Sequence, residues 1–296
     1  MVAALPANLD AHLKSGLTTL CRCWSITRSD GVQMGFTDHD LQLSFKGLQF
    51  RADTGLSSSA LAQGTGLSVD NAEAVGVLSD AAITEADIEA GRFDGAQVSC
   101  WLVNWQDVSA RWLQFEGTIG EMRRAGGAFT AELRGLTDAL NRPIGRVYQK
   151  PCTAVLGDAQ CGFDTNTPGF FFETNVQAVE DGRRFTWDAL IGFDAGWFTR
   201  GRLDVVSGAA QGLWSMIKED RNNDGAREID LWEPIRAAIV PGDTVRLTAG
   251  CDKRFATCRD KFTNLLNFQG FPDLPGEDWM TAVPKKAGRN TGGSRR

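Results

Sequence analysis

Histidine is almost missing from this chain: 296 residues hold two, His12 and His39. Chemistry that needs imidazole as a general base or a metal ligand has little to draw on. There is no HExxH, no serine nucleophile elbow and no phosphate loop, so the common hydrolase and nucleotide-binding readings lack their motifs. No run of about 18 apolar residues occurs, so no helix is expected to span a bilayer. Met1 to Ser15 lacks a basic stretch followed by an apolar one. No secretory signal is visible, and folding in the cytoplasm is expected. Positive charge is in deficit, with 31 Lys and Arg against 37 Asp and Glu for a net charge of −6. Such a chain is a poor general nucleic-acid binder unless its cations cluster.

What is present is the composition of a folded protein, with 42% apolar and 23% charged residues, and length for about two domains. Short alternating runs lie between Gly, Asn and Asp punctuation: Leu41–Phe45, Val98–Val103, Phe129–Leu133 and Arg184–Trp187. A period of two over four to eight residues predicts half-buried strands. Helical signals are fewer. Ala7 to Leu20 opens with Asn8 as a cap, Thr84 caps a short helix that stops at Gly91, and Leu136–Leu140 is a third candidate. The fold class is mainly β with short helices. The pattern breaks at Asn141-Arg142-Pro143-Ile144-Gly145, which divides the chain into residues 1–145 and 146–283. Residues 284–296 carry five basic side chains and no acidic one, and read as a flexible basic tail.

Seven cysteines in a cytoplasmic chain are not expected to form a disulfide framework. Four of them form two wide pairs: Cys152 and Cys161, with eight residues between, and Cys251 and Cys258, with six. Four thiolates suit a tetrahedral zinc ion or a [4Fe–4S] cluster, and four unrelated buried thiols are the alternative. Zinc knuckles favour two to four intervening residues; wider loops suit a larger cluster. A cluster with four thiolates carries a net charge of about −2 and needs N–H donors and nearby cations. Gly157, Gly162 and Gly250 would let the main chain come close, and Lys253, Arg254, Arg259 and Lys261 supply charge beside the second pair. Cys21 and Cys23 share one side of a strand and read as ordinary thiols, and Cys100 reads as core.

Two other motifs are weaker. Asp220-Arg-Asn222-Asn-Asp224-Gly225 resembles the start of a calcium loop, but Leu231 stands where the bidentate Glu belongs. A hairpin turn is the better reading. His39 lies between Asp38 and Asp40, which could tune an imidazole; a loop histidine is the blander expectation.

The run Pro241-Gly242-Asp243 through Gly250-Cys251-Asp252-Lys253 to Cys258 resembles the C-terminal signature of a phage-conserved tail protein family. Phe262, Asn264, Asn267-Phe268, Gly270-Phe271-Pro272 and Pro275-Gly276 continue it. Gly35–Asp40, Gly66–Asn71, Ala90–Ala96 and Leu156-Gly157-Asp158 with Cys161 resemble the same family. Within it, the chain is similar to the hub proteins of alphaproteobacterial gene transfer agents, which are siphophage-like particles. The cysteine spacings also resemble those of lambda-like tail-tip proteins that carry a [4Fe–4S] cluster, with Cys152, Cys161, Cys251 and Cys258 in the ligand positions.

That resemblance implies a structural protein, not an enzyme. It implies a trimeric baseplate hub at the tail tip, assembled in the bacterial cytoplasm, between the distal tail protein and a fibre-like tip megaprotein, with a tail peptidase as a further neighbour. DNA would pass through without being specifically bound, and an acidic lumen would suit that passage. Residues 162–250 would be a β domain inserted between the cysteine pairs, with the cluster tying its base and zinc as the less favoured occupant. The competing classes are an iron–sulfur redox protein, which lacks a dinucleotide fingerprint, and a tail-associated wall hydrolase, which lacks a catalytic constellation. Adjacent aromatics mark Phe171 or Trp197 as lying at or near an expected subunit contact, because strand neighbours point to opposite faces.

Overall fold

In a computed structural model, the described residues are 5–52, 57–58, 71–77, 83–125, 128–135, 145–190, 192–223 and 225–274. The chain divides into two compact units, Met1–Pro143 and Ile144–Arg296. It is mainly β, with two sheets and a few short helices. No described helix is long and apolar enough to cross a membrane.

The first unit opens with helix α1 (Ala7–Lys14), which starts after Pro6 and buries Leu9. The helix expected as far as Leu20 is shorter. Gly16 turns the chain at φ +74°, and strand β1 already begins at Leu20. Nine strands follow as one mixed ladder: β1 (Leu20–Thr27), β2 (Gln33–Thr37), β3 (Leu43–Phe45), β4 (Leu48–Arg51), β5 (Ser57–Ser58), β6 (Asn71–Val77), β7 (Gln97–Asn104), β8 (Arg111–Ala125) and β9 (Ala128–Gly135). Their hydrogen-bonded order is β3-β4-β2-β1-β7-β8-β9-β6-β5, and the pair β2/β4 runs parallel. The described order runs from β3 at one edge to β5 at the other.

Both faces of this sheet carry buried side chains, which fall into two separate cores. In β1, Trp24 and Ile26 join a core with Phe36, Val98, Cys100, Phe115 and Leu133. The alternate residues Cys21 and Cys23 join a second core with Leu43, Phe45, Phe50 and Trp101. Helix α2 (Glu85–Glu89) has the expected cap, with Thr84 Oγ1 accepting from Asp87 N at 3.1 Å. The candidate helix Leu136–Leu140 lies outside the described residues.

The second unit holds seven strands: β10 (Phe171–Asn175), β11 (Ala178–Glu180), β12 (Arg184–Trp187), β13 (Arg202–Val205), β14 (Trp214–Asn223), β15 (Ala226–Leu231) and β16 (Thr244–Thr248). The order is β10-β16-β13-β14-β15-β12-β11, with every described pairing antiparallel. Here β12, β13 and β16 alternate, because one face is buried, while β14 shifts register between Ile217 and Glu219 and β15 buries Arg227, Glu228 and Ile229 in succession. Phe185, Leu203, Ile217, Ile229, Leu231, Val245 and Leu247 point into one core. Fully burying each such side chain stabilises by about 1.5–3 kcal/mol. The β14/β15 hairpin closes at Asn223↔Ala226, with Gly225 at φ +92°, the positive φ such a turn needs. This is the turn reading of the Asp220–Gly225 motif. Asp220 is buried and paired with Arg227, so its oxygens are already used; Asp224 lies outside the described residues.

Candidate functional site

Two legs of the second unit lie against each other, one preceding the sheet and one following it. Cys152 N donates to Lys253 O at 2.8 Å, and Phe271 N to Gln149 O at 2.9 Å. Arg146 Nη2 reaches Gln269 Oε1 at 3.0 Å. Between the legs is a small cavity lined by Cys152, Cys161, Cys251 and Cys258, with Ala154, Leu156, Lys253, Phe262, Asn264, Asn267 and Phe268 around it. The fold therefore brings all four cysteines of the two wide pairs to one place, across almost a hundred residues of chain.

Each sulfur is positioned by local structure. The loop from Val155 to Gly162 is wound around one carboxylate: Asp158 accepts from Val155 N at 2.7 Å, Gln160 N at 3.0 Å and Cys161 N at 2.7 Å. These N–H groups, that of Cys161 foremost, hold the Asp158 carboxyl below the usual range. Cys251 follows Gly250, where an added Cβ would run into the Thr199 carbonyl, so only glycine allows this approach. Cys258 sits on helix α3 (Phe255–Asp260), whose N–H donates to Arg254 O at 3.1 Å. Asn264 joins the two pairs. Its Nδ2 donates to Cys161 O at 2.7 Å and lies 3.6 Å from Cys161 Sγ, while its carbonyl accepts from Cys258 Sγ at 3.3 Å. Gln269 N donates to Cys152 Sγ at 3.4 Å. Asn264 belongs to the signature quoted above, but nothing in its spacing foretold this bridging role. Gln269 carried no signal at all.

The thiols sense burial and one another. Cys258 is pushed up to about 11, first by burial and then by the neighbouring Cys251, Cys152 and Cys161. Burial also raises Cys251. Thiolates here therefore require a compensating positive charge. Of the four cations expected beside the second pair, Arg254 pairs with Asp252 and Arg259 with Asp260. Lys253 Nζ donates to Ala154 O. Lys261 turns inward, donating to Trp197 O at 2.6 Å and Gly250 O at 2.9 Å, and burial lowers its pKa.

Among the described residues no three His, Cys, Asp or Glu side chains are placed to hold one metal ion. The four cysteines line one cavity.

The other singled-out residues lie elsewhere. Cys21 and Cys23 are buried in the first unit, donating to Val103 O at 3.6 Å and Thr37 Oγ1 at 3.5 Å. Cys100 is buried in the same unit, and burial raises it to about 12. His39 Nδ1 accepts from Leu41 N at 2.9 Å, and Asp38 Oδ1 accepts from Arg22 N at 2.6 Å, so both serve the turn. Phe171 is half-buried under the Arg246 guanidinium, and Trp197 packs on Phe170 and Phe193 within its own unit.

Residues 6–164 match a family model described as "Baseplate hub protein, N-terminal attachment domain". The chain belongs to the baseplate hub protein family. Residues 196–278 match a second model, "Phage conserved hypothetical protein BR0599". A chain in a solved structure, "Virion of native gene transfer agent (GTA) particle", is 51% identical. The match covers 98% of this chain and 99% of that one, with a TM-score of 0.90. No curated protein matches the chain. The hub family match begins ahead of α1 and runs through Cys161, so it takes in the first cysteine pair; the second model takes in the other.

Proposed function

We propose that this chain is the baseplate hub of a phage-like tail, of gene transfer agent or siphophage type. It joins the distal tail ring to the tip proteins around the DNA exit channel. The observation that carries this reading is 51% identity over nearly the whole length to a chain of a gene transfer agent virion. The hub is a homotrimer and works by assembling, not by catalysis. Its neighbours are the distal tail protein, a fibre-like tip megaprotein and a tail peptidase, at the tail tip of a particle assembled in the bacterial cytoplasm. DNA passes without specific binding, which suits a chain of net charge −6. Residues 1–145 form the hub domain. Residues 146–283 form a second domain, with 162–250 inserted between the cysteine pairs.

Cys152, Cys161, Cys251 and Cys258 hold a structural [4Fe–4S] cluster. Bound by these four thiolates, such a group would tie the two legs together. A zinc ion wants four thiolates about 2.3 Å away, hence about 3.8 Å from one another. Four thiols lining one cavity would suit such a cluster. The donors fit the group. Asn264 Nδ2 and Gln269 N face sulfur, Lys261 puts a cation beside Cys251, and Gly250 admits the main chain.

Anaerobically purified chain should contain about four irons and four sulfides, with a brown visible spectrum. Stoichiometric zinc without sulfide would overturn the cluster and leave the hub standing. Native mass measurement should give a trimer, and a monomer that never enters particles would overturn the hub.

A further inference from the structure

Beside the cysteine site, and sharing Leu156, Cys251 and Lys253 with it, the second unit has a groove of about 910 Å³. One wall is the outer face of β14, where Met216 and Lys218 project away from the core on alternate positions. Trp232, whose N–H donates to Met216 O at 2.9 Å, extends that wall. The other wall is Val155, Leu156 and Lys253. Large apolar side chains are open to solvent here: Trp232 is 60% exposed, Val155 66% and Met216 42%. Trp214, 55% exposed, continues the row on β14.

The charge of the groove runs against that of the chain. Arg200, Arg202, Lys218 and Lys253 line it with one carboxylate, Glu219. Glu219 pairs with Arg221, and Arg202 with Asp204. Arg200, Lys218 and Lys253 have no ion pair among the described residues. Lys218 stands 5.6 Å above the Trp232 ring, an exposed cation on an exposed aromatic. Arg200 and Lys253 also hold positive φ, at 64° and 65°. Such backbone is disfavoured for side-chain-bearing residues and gathers at binding sites.

We infer that this groove binds an extended acidic segment, with interspersed apolar residues, from another protein of the tail. The inference rests on the hub reading and adds a partner surface to it. Exposed Trp, Met and Arg together are the composition of an interface centre. Arg200 and Lys253 reach only backbone carbonyls and Lys218 an aromatic face, so three cations without an ion pair among the described residues favour a negative partner. Nucleic acid is the poorer fit, because it draws on a long row of phosphate contacts and this groove alternates cations with apolar walls.

The test places the photo-crosslinker benzoylphenylalanine at position 232 of the full chain in particle-producing cells. Particles are irradiated and purified, and the linked peptide is mapped. The expected product is an Asp- and Glu-rich segment of a different tail protein. Lys218→Glu in the same background should cut its yield roughly tenfold, and Lys218→Arg should restore it. A link to DNA, a link to a second copy of this chain, or no link from a chain that is present in particles would overturn the groove assignment alone. Absence of the unsubstituted chain from particles would overturn the hub reading, and this inference with it.

Discussion

Asn264 touches both cysteine loops, through Cys161 O and through Cys258 Sγ. Replacing it by Ala leaves the Cys161 carbonyl without its side-chain donor and keeps the backbone carbonyl that faces Cys258 Sγ. Asn264→Ala should lower the stability of the second unit by about 1–2 kcal/mol in urea denaturation. An unchanged midpoint would show that the legs are held without it. The ion pair of Asp220 and Arg227 sits deeper. Both side chains are nearly inaccessible, and Arg227 also donates to the carbonyls of Phe193 and Asp194. Asp220 accepts in addition from Phe198 N at 2.9 Å. Arg227→Ala strands a buried carboxylate and should cost about 3–5 kcal/mol. The double replacement Asp220→Leu, Arg227→Met should cost clearly less, because neither charge is then left alone. Equal losses in a double-mutant cycle would show that packing, not charge, sets the cost. The sequence offered Asp220 as a calcium ligand candidate. What it could not display was Arg227 across the hairpin, which consumes both oxygens.

At the scale of elements, the loop Val155–Gly162 depends on one ionised carboxylate. Asp158 is depressed by the N–H groups it accepts, so its stabilising effect is present above the unfolded value of about 3.9 and is lost as pH falls through the lower folded value. Hydrogen exchange should show loop amides losing protection below about pH 4. Asp158→Asn should make that protection lower and nearly flat with pH, and an acid-induced loss that persists in the variant would assign it to another group. The cysteine legs form a larger element, closing a loop that contains all seven strands of the second sheet. A group bound by the native legs alone stabilises them by linkage. Cys258→Ser should therefore lower protection across residues 146–274 and leave β1 to β9 unchanged. Equal loss in both sheets would make the two units one cooperative body.

At the scale of the molecule, residues 284–296 concentrate five basic side chains on an acidic chain. Deleting residues 285–296 should leave the isolated fold intact and weaken assembly into particles. Raised ionic strength should weaken assembly of the intact chain in the same way. Particle yield that ignores both the deletion and the salt would remove any docking role for the tail. The sequence by itself determined the β class, because one-sided burial writes a period of two into Arg184–Trp187. It determined the Thr84 cap and the Gly225 turn, which are local geometry, and it marked the four cysteines that share a cavity. Tertiary structure decided the rest. Alternation in β1 does not say that both faces are covered, because Cys21 and Trp24 meet different cores far along the chain. Four basic residues near Cys258 look alike in sequence, and only packing turns Lys261 inward while Arg254 and Arg259 take surface carboxylates. Adjacent aromatics pointed to Phe171 and Trp197, yet Trp214 and Trp232 are the more exposed rings. Which side of a strand meets the core is fixed by register with distant strands, and register is a property of the folded sheet.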